Sequence, residues 1–354
     1  MPHNRPSWSQ FVVTTVLVIV SGLAGIFVFI AAVNPYGNLP VSLPFPYHRV
    51  TGNERYAFPG LLKRKSYDSA VFGTSTAMLL HPRDLNEKLG GRFINLSMAS
   101  GTPWEQMQVF DLFRRDRTVK TVLIAIDVVW CNPRQPEPRL TFRPYPPWMY
   151  DANPWNDYLH LLNDRAVIHA ARLATIWLGL TRPPFGRDGY FQFVPDTSEY
   201  NLARARENIY GRAVREQTKF PDLETLRASE RIVADAAYPD LATLFGELDK
   251  LKPGSNAILF FAPYHAIQFS APERWSRWQS CKRRVVGEAA KRNFVTVVDF
   301  MRPSPLTTRD ENYWDPLHYT VERSRDVVAS LALGVSGVDR GEIFEVLFRP
   351  GRKK

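Results

Sequence analysis

The stretch "VFGTSTAMLLHPRDLN" (71–86) runs from apolar residues through Gly73-Thr74-Ser75-Thr76 into a helical pattern. A strand that ends in a glycine turn and passes into a helix is the repeating joint of α/β proteins. Such a joint either presents a nucleophile at the top of a sheet or simply caps the following helix. Ser75 is open to both readings at this level.

Working outward, the same alternation recurs. "SAVFG" (69–73), "RFINLS" (92–97), "KTVLIAIDVVW" (120–130), "NAILFFAPYH" (256–265) and "FVTVVDF" (294–300) read as buried strands. The third is the clearest, a continuous run rich in β-branched residues. Helical spacing separates the strands at 103–115 and 271–293, and a last helix follows at 321–334. Five strands alternating with helices predict an α/β fold, a doubly wound, mostly parallel five-stranded sheet. The alternation breaks over about 132–250, a helical and irregular insertion that holds proline-rich turns and a long amphipathic stretch, 157–180. Asp164, Arg165 and Arg172 inside that stretch argue against a second membrane span. Packing as a cap on the domain and lying against lipid both remain open for it.

In doubly wound sheets the functional crevice lies outside the carboxyl ends of the strands. Gly73-Thr74-Ser75, Ala99-Ser100-Gly101, Asp127 and His265 fall there, with the loop that carries "DPLH" (315–318). A serine hydroxyl becomes a nucleophile when an imidazole takes its proton and a carboxylate fixes that imidazole. Ser75, His318 and Asp315 supply those three parts.

In this order and on this alternation the residues resemble the SGNH/GDSL hydrolase superfamily over roughly 66–334. "FGTS" matches its first block, with Ser75 as nucleophile. "NLSMASG" matches the second, so that the N–H groups of Gly101 and Ser75 are expected to bind the oxyanion. "DPLH" matches the last block, with Asp315 and His318. The layout is similar to anchored periplasmic members of bacterial exopolysaccharide systems, the alginate acetylation proteins and the D-alanine transfer proteins of teichoic acid. Two positions depart from the pattern. Thr74 replaces the acidic residue of the first block. In the third block, "AID" puts Asp127 where an asparagine would donate to the oxyanion, and an ionised carboxylate cannot donate. The resemblance implies acyl, above all acetyl, ester transfer or hydrolysis through an acyl-serine, without a metal or other cofactor. A non-catalytic polysaccharide-binding component and a lipid-surface esterase are the alternatives. Asp127, His265, Trp104, Glu105 and Trp314 are further candidates to line a substrate site. Ordinary strand-end or helix-start packing is the alternative for His265, Trp104 and Glu105.

Residues 11–33, "FVVTTVLVIVSGLAGIFVFIAAV", hold no charge. As a helix they reach about 34 Å, enough to cross a bilayer core. The run exceeds the apolar core of a cleaved signal peptide. The expected organisation is a cytoplasmic tail (1–10), a transmembrane anchor (11–33), a proline-rich linker (34–65) and the SGNH-like domain (66–350). That makes a single-pass inner-membrane protein with its large domain in the periplasm. The expected partners are the membrane and a cell-surface polysaccharide or acyl donor protein. The net charge of +10 is scattered and accompanies no nucleic-acid motif, so no nucleic-acid partner is expected. Cys131 and Cys281 have no metal-ligand spacing; they either pair in an oxidising compartment or remain two buried thiols.

Overall fold

The computed structural model describes residues 7–133, 136–212, 218–231 and 237–351. Most of the expected tail and the terminal Arg352-Lys353-Lys354 lie outside them. The chain divides into two compact units, one of residues up to Lys63 with Tyr145–Arg187, the other of Arg64–Pro144 with the chain from Asp188 on.

Among the described residues the first unit holds the helices α1 (Trp8–Val33), α2 (Glu54–Leu62) and α5 (Asp164–Trp177). Ser7 and Gln10 form a capping box at the start of α1, and Asn34 ends it in a left-handed conformation. α1 is long and apolar enough to cross a membrane, and most of its surface is exposed. The segment expected to be a linker is instead part of this unit. α2 is nearly all buried. Asn38 Nδ2 donates to Asp157 (2.7 Å) and Tyr150 Oη to Arg55 O (2.7 Å), fastening 34–63 to 145–187. Aromatic rings of this unit pack on one another, with Trp148 stacked on His160 and Tyr145 on Tyr150.

The second unit is built on a six-stranded sheet. Its strands are β1 (Ser69–Phe72), β2 (Phe93–Asn95), β3 (Thr121–Ile126), β4 (Asn256–Phe261), β5 (Val295–Asp299) and β6 (Glu345–Phe348), in the order β2-β1-β3-β4-β5-β6. The first five are parallel, and β6 runs antiparallel to β5. This sixth strand was not expected; the four residues "EVLF" are too short a run to show a period. β3 is buried along its whole length, as its composition predicts.

The helices are α3 (Pro82–Leu89), α4 (Pro103–Arg115), α6 (Leu202–Tyr210), α7 (Leu223–Ala228), α8 (Pro239–Leu248), α9 (Pro272–Ala289) and α10 (Val321–Ser336). From β1 the chain steps through α3 to β2 on one side, then through α4 back across β1 to β3. Right-handed crossovers taken in opposite directions put α3 and α4 on opposite faces. The helix pairs follow that division, α3 with α10 and α4 with α8. The direction of travel reverses between β1 and β3, and the carboxyl ends of those two strands open the crevice.

Candidate functional site

β1 ends at Phe72, and Gly73 carries the chain into a single 3-10 turn, Ser75–Ala77. A Cβ on Gly73 would lie 2.9 Å from the Ala125 Cβ and 3.0 Å from the Ala77 Cβ, so close packing of the turn on β3 requires glycine there. Ser75 caps no helix. α3 begins only at Pro82, behind His81, whose Nδ1 accepts from the Arg83 N–H.

The Ser75 hydroxyl instead meets His318, with Nε2 to Oγ at 2.7 Å. His318 Nδ1 lies 2.7 Å from Asp315 Oδ2, while Asp315 Oδ1 accepts from the N–H groups of Leu317 (2.9 Å) and His318 (3.0 Å). Burial raises the Asp315 pKa, but its hydrogen bond to His318, the electrostatic attraction of that ring and the two N–H groups outweigh that and hold it below the usual carboxylate value. An ionised carboxylate on Nδ1 sets the tautomer that leaves Nε2 facing the serine as proton acceptor. Phe193 stands edge-on to the imidazole at 4.8 Å and limits its rotation.

The loop bearing Asp315 and His318 is held at both ends. Tyr313 and Tyr319 form an antiparallel bridge across its base, and Trp314 N–H donates to His318 O (2.8 Å). Tyr313 Oη donates to Pro263 O (2.8 Å), just beyond β4, and Tyr319 Oη donates to Thr76 O (2.7 Å) in the serine turn itself. The base and the nucleophile are therefore coupled by a second contact besides their own. Neither tyrosine was expected from sequence, although each stands one or two residues from a residue that was.

Asp127 follows β3 and is buried. Its Oδ2 accepts from Thr74 N–H (3.1 Å) and Thr74 Oγ1 (2.6 Å), and its Oδ1 from Thr76 Oγ1 (2.7 Å) and Tyr264 Oη (3.0 Å). Burial pushes this carboxyl up, and the four donors pull it back toward the charged form without cancelling the rise. Asp127 thus braces the serine turn from below and is not open to a substrate, which corrects its expected place in a substrate site.

Other expected site residues also belong to the framework. His265 is fully buried; its Nδ1 accepts from Ile267 N–H (3.4 Å), so Nε2 carries the proton toward Asp310 Oδ1 (3.2 Å). Glu105 is buried in a capping box with Thr102 at the start of α4. Neither can touch a polymer from there. Trp104 is half-buried with the Arg139 guanidinium 4.9 Å over its ring, and Trp314 is half-buried beside Tyr200. Gly101 also departs from expectation. Its N–H donates to Met98 O (2.9 Å) and closes a turn in which Ser100 has a positive φ of 53°. Among the described residues the Ser75 N–H makes no such bond and is available to an oxyanion.

A cavity of about 290 Å³ adjoins the loop at Leu317, lined also by Val128, Tyr264, Arg274, Arg277 and Trp278. Its lining is mostly apolar and includes Arg274 and Arg277. Among the described residues, no three His, Cys, Asp or Glu side chains are grouped to hold a metal ion. Cys131, at the end of the turn after β3, and Cys281 on α9 are joined by a disulfide, with Cα atoms 5.6 Å apart.

Fold and site together define an α/β protein with a serine–histidine–aspartate relay at the point where its sheet reverses direction. Compared with protein-family models the chain matches none, and no curated protein matches it.

Proposed function

We propose that the chain is a membrane-anchored, SGNH-type O-acyltransferase or esterase that transfers or removes an acyl group, acetyl above all, on a cell-surface polysaccharide. The observation that carries this reading is the unbroken relay from Asp315 through His318 to Ser75, with both hydrogen bonds at 2.7 Å. The order of the five parallel strands, 2-1-3-4-5, is that of flavodoxin-like sheets and agrees with the superfamily resemblance. β6 is then an addition at the edge. α1 as an anchor and the Cys131–Cys281 disulfide both favour an extracytoplasmic domain on the inner membrane.

In the proposed reaction Ser75 Oγ attacks the ester carbonyl as His318 Nε2 takes its proton. The tetrahedral oxyanion accepts from the Ser75 N–H. Collapse expels the alcohol, protonated by His318, and leaves an acyl-serine. A sugar hydroxyl or water, deprotonated by His318, then attacks that ester and releases Ser75. The proposed seat of the acyl group or the first sugar is the cavity lined by Leu317, the residue before His318.

Full-length protein in detergent, treated with a fluorophosphonate probe, is expected to label at Ser75 and to lose labelling in Ser75→Ala and His318→Ala. Absence of labelling in a folded wild-type protein would reject an activated serine. A non-catalytic polysaccharide-binding role has one observation in its favour, the Gly101 N–H bonded to Met98, which leaves a single identified oxyanion donor. Full complementation in cells by Ser75→Ala, with the acyl content of the polymer unchanged, would select that role.

A further inference from the structure

The last turns of α1 pack on part of their surface against the rest of the first unit, burying Ile30 and Val33. Leu43 N–H donates to Ala32 O (2.8 Å), and the Tyr158 ring lies 6.4 Å from that of Phe27 while its hydroxyl donates to Val41 O (3.0 Å). α5 packs against α1. At the end of α5, Trp177 Nε1 donates to Pro46 O (3.0 Å) and its ring lies 4.7 Å from Phe45. Three stretches, 41–46, 155–162 and 164–180, are thereby fastened to the carboxyl end of the apolar helix and to one another.

The same three stretches turn large apolar side chains outward. Leu159 is 82% exposed, Leu178 73%, Leu180 71%, Val41 and Trp155 63%, and Leu162 55%. A water-facing surface rarely gathers so many. On α5 the buried face is Ala166, Ala170 and Leu173, and the exposed face sets Ile168 between Arg165 and Arg172. Apolar residues interleaved with arginine are the pattern of a helix lying in a lipid interface, with cations at anionic headgroups. Depth points the same way. Phe27 stands six residues, or about 9 Å, before the end of the uncharged run, so a ring packed on it lies at or below the bilayer surface once α1 spans.

We propose that the first unit is seated in the leaflet from which α1 emerges. The 41–46, 155–162 and 164–180 stretches form a collar in the headgroup and upper acyl region, and the bilayer is what covers their apolar side chains. The inference rests on α1 crossing the membrane and is independent of any reaction at Ser75.

The test uses the full chain in vesicles of phosphatidylethanolamine and phosphatidylglycerol. Single cysteines replacing Leu159, Leu178 and, as a reference in the middle of α1, Val20 carry an environment-sensitive fluorophore. All three side chains are exposed, so the label displaces no packed group. Quenching is measured with a lipid spin-labelled near the headgroup, with one labelled deep in the acyl chain, and with aqueous iodide. At Leu159 and Leu178 most emission should be lost to the shallow spin label and little to iodide, while Val20 is quenched by the deep label. Leu159 and Leu178 open to iodide and untouched by the lipid label would overturn the proposal. So would shielding from both quenchers, which means that protein covers the patch. If Val20 itself escapes the deep label, the spanning reading of α1 fails and the collar fails with it, a result distinct from failure of the collar alone.

Discussion

The Asp127 carboxylate accepts four hydrogen bonds, three of them from the turn that carries Ser75. Removing it takes the acceptor from the buried Thr74 N–H and from three buried hydroxyls, of which those of Thr74 and Thr76 keep only each other at 3.4 Å, and each unsatisfied buried donor costs about 1–3 kcal/mol. Asp127→Ala is therefore expected to lower stability by about 3 kcal/mol or more and to let Ser75 move. A displacement of about 1 Å at a nucleophile lowers the rate about a hundredfold. Asp127→Asn keeps an oxygen for the Thr74 N–H, and the hydroxyls of Thr76 and Tyr264 can turn to donate elsewhere or accept from its amide. That variant should lose about 1 kcal/mol and keep most of its fluorophosphonate labelling rate. The urea midpoint and the labelling rate, read together, test this. A stable Asp127→Ala with an unchanged labelling rate would remove the bracing role. The sequence placed Asp127 near the serine but left its role open, because direction of pointing depends on Thr74, Thr76 and Tyr264, which lie 53, 51 and 137 residues from it along the chain.

The loop from Tyr313 to Tyr319 and the segments that hold it form the element on which the relay depends. His265 N–H donates to Pro316 O inside that loop, and His265 Nε2 reaches Asp310, which also receives Arg206 Nε (2.8 Å) and Tyr210 Oη (2.7 Å) from α6. Burial lowers the His265 pKa, and the neighbouring Asp310 offsets that only in part. The imidazole is thus kept neutral in the fold while the unfolded chain protonates near about 6.5. The unfolded state binds more protons between the folded and unfolded values, so stability rises with pH there and falls on acidification through about 6.5. His169 in the first unit is lowered by burial and has the same sign. Asp315, with its lowered pKa, contributes a loss only at much lower pH, below about 3.9. Burial pushes Asp157 up to about 6, which has the opposite sign in this range, so the test is a difference: from pH 7.5 down to 5 the melting temperature of the wild type should drop relative to that of His265→Gln, and equal slopes would exclude His265 as a source. Tyr319→Phe should leave Thr76 O without its donor at a cost of about 1 kcal/mol, with a larger effect on labelling rate than on the urea midpoint. An unchanged labelling rate would show that the relay is set without this contact. Five strands, the serine turn and the Asp-Pro-Leu-His loop were legible because continuous apolar runs and a short local motif carry them. The 34–65 stretch was not. Its buried side chains include Arg49, Glu54 and Arg55, with Arg49 donating to Thr51 O and lying 4.3 Å over the Phe185 ring. Charges buried by pairing with one another and with carbonyls read as solvent-exposed in any hydropathy pattern.

Across the whole molecule, one covalent link joins distant parts of the chain in the second unit. The Cys131–Cys281 disulfide closes a loop of 150 residues in sequence, ties the end of the turn after β3 to α9, and sits at the wall of the cavity beside Leu317. The sequence left open whether the two cysteines pair, since a spacing of that length says nothing about proximity. The order of the sheet supplies it by making β3 and β4 neighbours, with α9 following β4. A cross-link over so long a loop removes much of the unfolded chain's freedom, and the chain-entropy contribution reaches about 5 kcal/mol, with measured effects of about 2–4 kcal/mol being typical. The double variant Cys131→Ser/Cys281→Ser should therefore unfold at a markedly lower urea concentration, and the wild type should shift to the same midpoint when reduced. Because Cys131 stands four residues after Asp127 and lines the cavity, the reduced protein should also label more slowly at Ser75 even where it remains folded. Identical urea midpoints for oxidised and reduced wild type, with the thiols shown to be free in the second, would mean that sheet packing alone fixes β3 against α9. A midpoint that falls while the labelling rate of the folded fraction holds would confine the disulfide to stability and detach it from the site.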